Sequence, residues 1–136
     1  MRVASRGSQL GQSLVEIALI LPVLLTIISG TVDVGRLAYA YITIGNASYA
    51  GAQYASQSPE QSLDSTGIQV AVAAGTTTLY GATGSNPSVA STTGTDPYGH
   101  QFVSVSVTFV FAPVVPYPVL PSSISISRTV RMRVQT

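Results

Sequence analysis

Gly11-Gln12-Ser13-Leu14-Val15-Glu16-Ile17-Ala18-Leu19-Ile20-Leu21-Pro22-Val23-Leu24-Leu25 opens the stretch on which the fold turns. From Leu14 to Val32 the residues are almost wholly apolar, and Glu16 is the one charge among them. About 20 apolar residues, each rising 1.5 Å, cross a hydrocarbon core of about 30 Å, so this run is long enough to span a bilayer. The residues before it, Met1 to Gly11, carry Arg2 and Arg6 and no acid. Positive flanks favour the cytoplasmic side, which would send everything after Val32 outward. Pro22 removes one backbone hydrogen bond and should kink the helix, a defect that membrane helices tolerate.

Downstream of Asp33 and Arg36 the composition changes but no helix breaker intervenes. Leu37 to Ser58 is uncharged and crowded with small residues and tyrosines. Leu37, Tyr41, Ile44, Ser48 and Ala52 recur at three-and-four spacing, the repeat of one helix face. One long helix over about 12–56 is predicted, its first half suited to lipid and its second to close packing. Gly45 and Gly51 weaken that second half in isolation, so it needs a partner. Asp33 and Arg36, three apart, are placed to pair on one face, a structural role rather than a chemical one.

Pro59, with Glu60 and Asp64 close behind, suits the start of a second helix over about Pro59–Leu79. Its apolar positions would be Leu63, Ile68, Val70 and Ala74, although Gly67 and Thr76–Thr78 oppose helix. Tyr80–Gln101, rich in Gly, Ser, Thr and Asn with Pro87 and Pro97, reads as a long irregular loop. The period then becomes two. Val103, Val105, Val107, Phe109 and Phe111 alternate with smaller, mostly polar residues as a half-buried strand. Pro113, Pro116, Pro118 and Pro121 fill a stiff connection that no central strand could hold. Ile124, Ile126, Val130, Met132 and Val134 form a second strand, in which Arg128 falls on the apolar face and must snorkel or find a partner. A lone hairpin is marginal in water, so the long helix should complete its core. The fold class expected is α+β: a long N-terminal transmembrane helix whose outer half packs on a second helix and a small antiparallel hairpin or sheet. In domain terms these are a leader over 1–11, the long helix over 12–56 with its membrane part at about 14–32, and a small extracytoplasmic α+β domain over 57–136.

Composition agrees with an exported or membrane-associated chain. At 136 residues it fits one domain plus an appendage. Charged residues are 8% of the total, about a third of the ordinary content of ~25%. Six arginines, no lysine and five acids leave a net charge of +1, no basic field for nucleic acid. The absence of cysteine excludes intrachain disulfides, Cys-zinc sites and a cysteine nucleophile.

The basic leader, the glycine at position 11 and the glutamate five residues beyond it together resemble a type IV prepilin processing site. The run from Gly11 to Leu25 resembles the TadE-like family of tight-adherence pilus proteins more closely still. Gly35-Arg36-Leu37, Asn46-Ala47 and Gly51-Ala52-Gln53-Tyr54-Ala55 extend that likeness, so the specific match covers about the first 55 residues. The resemblance implies cleavage by a prepilin peptidase between Gly11 and Gln12, and a chain that joins other pilin subunits and a pilus assembly platform for surface attachment. It also implies that Glu16 pairs with the freed amine of a neighbouring subunit during assembly. The physical logic is consistent. Glycine lets the backbone enter a tight protease site. Losing Arg2 and Arg6 leaves four arginines against five acids, a near-neutral chain able to leave the bilayer. A carboxylate within an apolar run costs about 2.5–3.5 kcal/mol near the bilayer centre and less near its edge. A glutamate merely solvated at headgroup depth is the blander alternative. The small residues Gly45, Ala47, Ser48, Gly51 and Ala52 would suit either filament packing or packing against the chain's own hairpin.

No enzyme is expected, and no cofactor or metal. His100 is the single histidine, and Asp96 four residues before it could seed a metal site or a Ser-His-Asp arrangement. No nucleophile elbow, paired histidines or phosphate loop accompanies them, and an exposed loop histidine is the better reading. Asn46-Ala47-Ser48 matches a glycosylation sequon but lies in the predicted helix. Two rival readings remain. One is a secreted or anchored binding module cut after Ala38-Tyr39-Ala40 as by a signal peptidase; the other is an uncleaved inner-membrane protein. If the chain contacts a surface, Tyr80–Gln101 is the first segment to suspect, because long loops often carry binding.

Overall fold

The computed structural model describes residues 6–79, 86–115 and 121–135, with the backbone alone over 6–10. A single helix, α1 (Arg6–Ala55), runs for 50 residues with Pro22 inside it, about 75 Å at the standard rise. It is already helical at Arg6, where the sequence suggested a start near Gln12. Its two halves live in different surroundings. Among described residues up to Val32 no side chain is buried, whereas beyond that point one stripe is: Asp33, Ala40, Ile44, Ala47, Ser48, Gly51, Ala52 and Ala55.

The predicted second helix is two helices and a 3-10 turn: α2 (Pro59–Leu63), α3 (Ser65–Thr76) and Thr77–Leu79. The break is at Asp64, which ends α2 with φ −78 and ψ 85 and whose side chain caps α3 by accepting from the Gly67 amide at 3.0 Å. Ser58 caps α2 in the same manner, accepting from the Gln61 amide at 3.2 Å, with Pro59 in the first turn. This break resets the helical phase, and the expected apolar face is corrected accordingly. Leu63 is 76% exposed, Val70 65% exposed and Ala74 exposed. The buried face is Ile68, Val72 and Thr76, continued by Leu79. Thr76 can sit there because its hydroxyl donates back to the Val72 and Ala73 carbonyls.

Three antiparallel strands in the order β1-β2-β3 form the sheet: β1 (Ser88–Thr95), β2 (Gln101–Phe111) and β3 (Ile124–Arg133). The strand β1 corrects the expectation of an irregular loop across Tyr80–Gln101; residues 80–85 of that stretch, and 116–120 of the proline-rich connection, lie outside the described residues. Ser-Val-Ala-Ser-Thr-Thr-Gly-Thr has no apolar alternation, and its extended form comes from pairing with β2, from Ser88 opposite Thr108 to Thr95 opposite Gln101. On the other side Phe102 pairs with Arg133 and Phe111 with Ile124. The central strand buries Val103, Val105, Val107, Phe109 and Phe111 against α1 and α3. Its opposite face carries a hydroxyl ladder: Thr129 donates to Ser106 at 2.9 Å and Thr108 to Ser127 at 3.0 Å. The result is α+β, with one end of a long helix packed into a small head and the other end standing clear.

Candidate functional site: the free half of the long helix and its junction with the head

Leu14, Val15, Ile17, Leu19, Ile20, Leu21, Val23, Leu24, Leu25, Ile27 and Ile28 are all exposed. They surround the helix instead of forming one stripe. A helix apolar on every side belongs in a core or a membrane, and none of its most apolar stretch is covered by the rest of the chain. By length and composition it can cross a bilayer. Its hydroxyls fit that solvent. Thr26 donates to the Pro22 carbonyl at 2.8 Å and Thr31 to the Ile27 carbonyl at 2.9 Å, so neither asks lipid for a partner. Pro22 lacks the amide that would bond Ala18, one turn earlier.

The sequence-predicted residues Gly11, Gln12 and Glu16 lie on this free half, at the end remote from the head. All three are exposed, and nothing within 4 Å would meet a Cβ at Gly11. The Gly11–Gln12 bond is within the continuous helix α1. Glycine at that point lowers the cost of unwinding by roughly 1 kcal/mol relative to alanine. Glu16 is one turn beyond Gln12, on the same face.

The small-residue stripe lies elsewhere. Ala47, Ser48, Gly51 and Ala52 are buried against the chain's own α3 and sheet. A Cβ at Gly51 would come 2.7 Å from a Val72 methyl and 3.2 Å from one on Val105. Gly75 of α3 faces Ala47 with equal intimacy, its would-be Cβ 3.2 Å from the Ala47 Cα. The glycines thus let α1 and α3 approach at backbone distance. Gly45 is looser, its nearest neighbour being the Arg128 side chain at 3.8 Å. Ser48 donates to the carbonyls of Ile44 and Arg128, tying α1 to β3.

Two arginines resolve as the sequence required. Arg36 pairs with Asp33 at 2.9 Å and lies over Phe111, 5.4 Å from the ring centroid. Arg128, on the apolar face of β3, bonds the Tyr41 hydroxyl at 2.7 Å with its guanidinium 4.7 Å from the Tyr41 ring centroid. Sequence reasoning missed the other half of the Asp33 contact. Both Asp33 carboxylate oxygens accept from the Val114 amide at 3.1 Å, a link across 81 positions that no local pattern signals. It also missed Tyr54, whose hydroxyl donates to Asp64 at 2.8 Å. The Gly67 amide first, and then that hydroxyl, hold the Asp64 carboxyl below the ordinary carboxylate range.

At the far end of the sheet the turn between β1 and β2 is built by Asp96. One of its oxygens accepts from the amides of Tyr98 and His100, at 3.0 and 2.8 Å, while Gly99 takes a positive φ of 83°. The His100 amide is foremost in lowering the Asp96 carboxyl, and Arg133 contacts the other oxygen at 3.4 Å. Asp96 therefore serves the turn's backbone, and it meets His100 through the main chain. Among the described residues no group of three or more His, Cys, Asp or Glu is arranged to hold a metal.

An apolar helix thus runs clear of a small α+β head, with an acidic residue near its free end. The family whose model matches is TadE-like protein, over residues 11–53. The similarity therefore covers α1 from the free half through most of the packed half, and it stops short of α2, α3 and the sheet. Through it the chain is similar to a structural, pilus-associated family. No curated protein and no solved structure matches the chain.

Proposed function

We propose that the chain is a TadE-like minor pilin or pseudopilin of a tight-adherence or type IV-like pilus. It enters the inner membrane with its N-terminus in the cytoplasm and its head outside. A prepilin peptidase cuts between Gly11 and Gln12, and the shortened helix passes with other pilin subunits, through the assembly platform, into or onto a filament at the cell surface. The observation that carries this reading is the free half of α1. It presents Gly11, Gln12 and Glu16 at the free end of an apolar helix that the chain itself leaves uncovered, while the other half is locked into the head. In the membrane lipid covers that surface; in a filament neighbouring helices would, with Glu16 meeting the new amino terminus of one of them.

The packing counts against cleavage after Ala40. Asp33, Leu37 and Ala40 all contribute to the head, and a cut there would remove its lower fastening and divide a continuous helix. The deciding experiment is intact mass and terminal sequencing of the protein recovered from its native cells. A chain beginning at Gln12 supports prepilin processing. A chain beginning at Tyr41 or retaining Met1 overturns it.

A further inference from the structure

The outer surface of the head is not polar all the way down. Where α1 leaves its apolar run, the structure fixes the height of a second chain segment. The Val114 amide donates to both oxygens of Asp33 at 3.1 Å, and Asp33 directly follows Val32, the last residue of the run. Val114 is therefore level with the outer end of the span. Its side chain is 68% exposed and that of Val115 36% exposed, while on the helix Val34 is exposed as well. The charges at this level do not oppose a lipid neighbour. Asp33 is turned inward, 7% exposed, and Arg36 lies along it and over Phe111. Bilayers of about 40–45 Å with a core of about 30 Å leave a headgroup layer of roughly 5–7 Å on each side. One helical turn, about 5.4 Å, fills that layer, so Val34 to Leu37 and the Val114–Val115 segment occupy the same slab.

We propose that this rim, Val34 together with Val114 and Val115, is a membrane-contact surface: the head is seated in the outer headgroup layer and is not held clear of it on a stalk. The inference rests on the membrane-spanning reading of α1, and lipid is the occupant because Val34 and, through the Asp33 bond, Val114 lie at the end of the span. The Asp33 carboxylate acts as the fastener that brings the segment after β2, 81 positions away, down to the bilayer.

The chain contains no tryptophan, so a single introduced indole reports its own depth. Leu24→Trp, Val114→Trp and Tyr98→Trp variants of the full chain are reconstituted in phosphatidylcholine vesicles carrying bromines at shallow or deep positions of the acyl chains. Leu24→Trp should lose most of its emission to deep bromines. Val114→Trp should lose emission to shallow bromines and little to deep ones, and Tyr98→Trp at the β1–β2 turn should lose none. A Val114→Trp signal as insensitive as Tyr98→Trp, with Leu24→Trp quenched, overturns the seated head while leaving the span intact. A blue-shifted but unquenched Val114→Trp overturns it in favour of a second copy covering the rim. An unquenched Leu24→Trp removes the membrane-spanning reading itself.

Discussion

Glu16 and Asp64 are both carboxylates on helices, yet they have opposite relations to the chain. Asp64 is surrounded by donors from its own fold, the Gly67 amide and the Tyr54 hydroxyl. Glu16 is exposed on a helix whose neighbours are apolar, which is why its role is sought outside the chain. Glu16→Ala should leave cleavage after Gly11 largely intact and reduce incorporation into filaments, read by immunoblotting sheared filaments against membranes. Normal filament yield from that variant would end the assembly role. For Asp64 and Asp96 the expected result concerns acid. Both carboxyls are held below their ordinary value of 3.8 in the fold, so the unfolded chain binds protons more readily. Their contribution to stability is complete above about pH 4 and is lost as pH falls toward the folded-state values. The melting temperature should therefore decline from about pH 4 downward, and Asp64→Asn should flatten that decline. An acid limb of unchanged steepness in Asp64→Asn would show that other groups set it.

At the level of elements, α1 and α3 approach closely, and the glycines between them can be tested directly. Gly51→Val would push a branched side chain into Val72 and Val105. Overpacking of this kind costs typically 1–3 kcal/mol, visible as a lower denaturation midpoint with an unchanged slope. Gly45→Ala, in looser surroundings, should be close to neutral or slightly stabilising. Which elements were legible in the sequence follows from how each is specified. The long helix, β2 and β3 each carry their own periodicity, and the pairing of Asp33 with Arg36 and the need of Arg128 for a partner followed from position alone. The strand β1 was not legible, because Ser88–Thr95 is extended only by virtue of its neighbour β2. The face of α3 was misread for a local reason. Carrying one helical phase from Pro59 to Leu79 takes no account of the reset at Asp64, although Asp-Ser-Thr-Gly at 64–67 is a capping signal. Of the candidate site, Gly11, Gln12 and Glu16 could be read from a motif; the Val114 contact could not, since it depends on two segments brought together by the whole fold.

For the molecule as a whole, the head holds the packed half of α1 from three directions. The helices α2 and α3 lie on one side, the sheet lies on another, and the segments that follow β2 and β3 are fastened near the two limits of the packed stretch. At the lower limit Val114 bonds Asp33; at the upper, the Gln135 amide donates to the Ser56 carbonyl at 2.8 Å. Removing the lower fastening should loosen the rim and spare the centre. In Asp33→Ala the Val114 amide is expected to exchange with solvent deuterium markedly faster, while the amides of β2 from Val103 to Val107 keep their protection. Uniform acceleration across the sheet would show that Asp33 supports global stability and not a local fastening.

The two fastenings have a mechanical consequence. In the proposed filament, a pull between cell and surface would load each subunit along its helix. A head gripped at one point would peel away, one contact failing after another under modest force. Here Asp33 and Ser56 grip the same rod at both ends of a buried seam, so a pull along α1 loads the two clasps and the packed face between them in shear, at the same moment. Such a joint fails late and all at once, which would suit a subunit of the proposed filament.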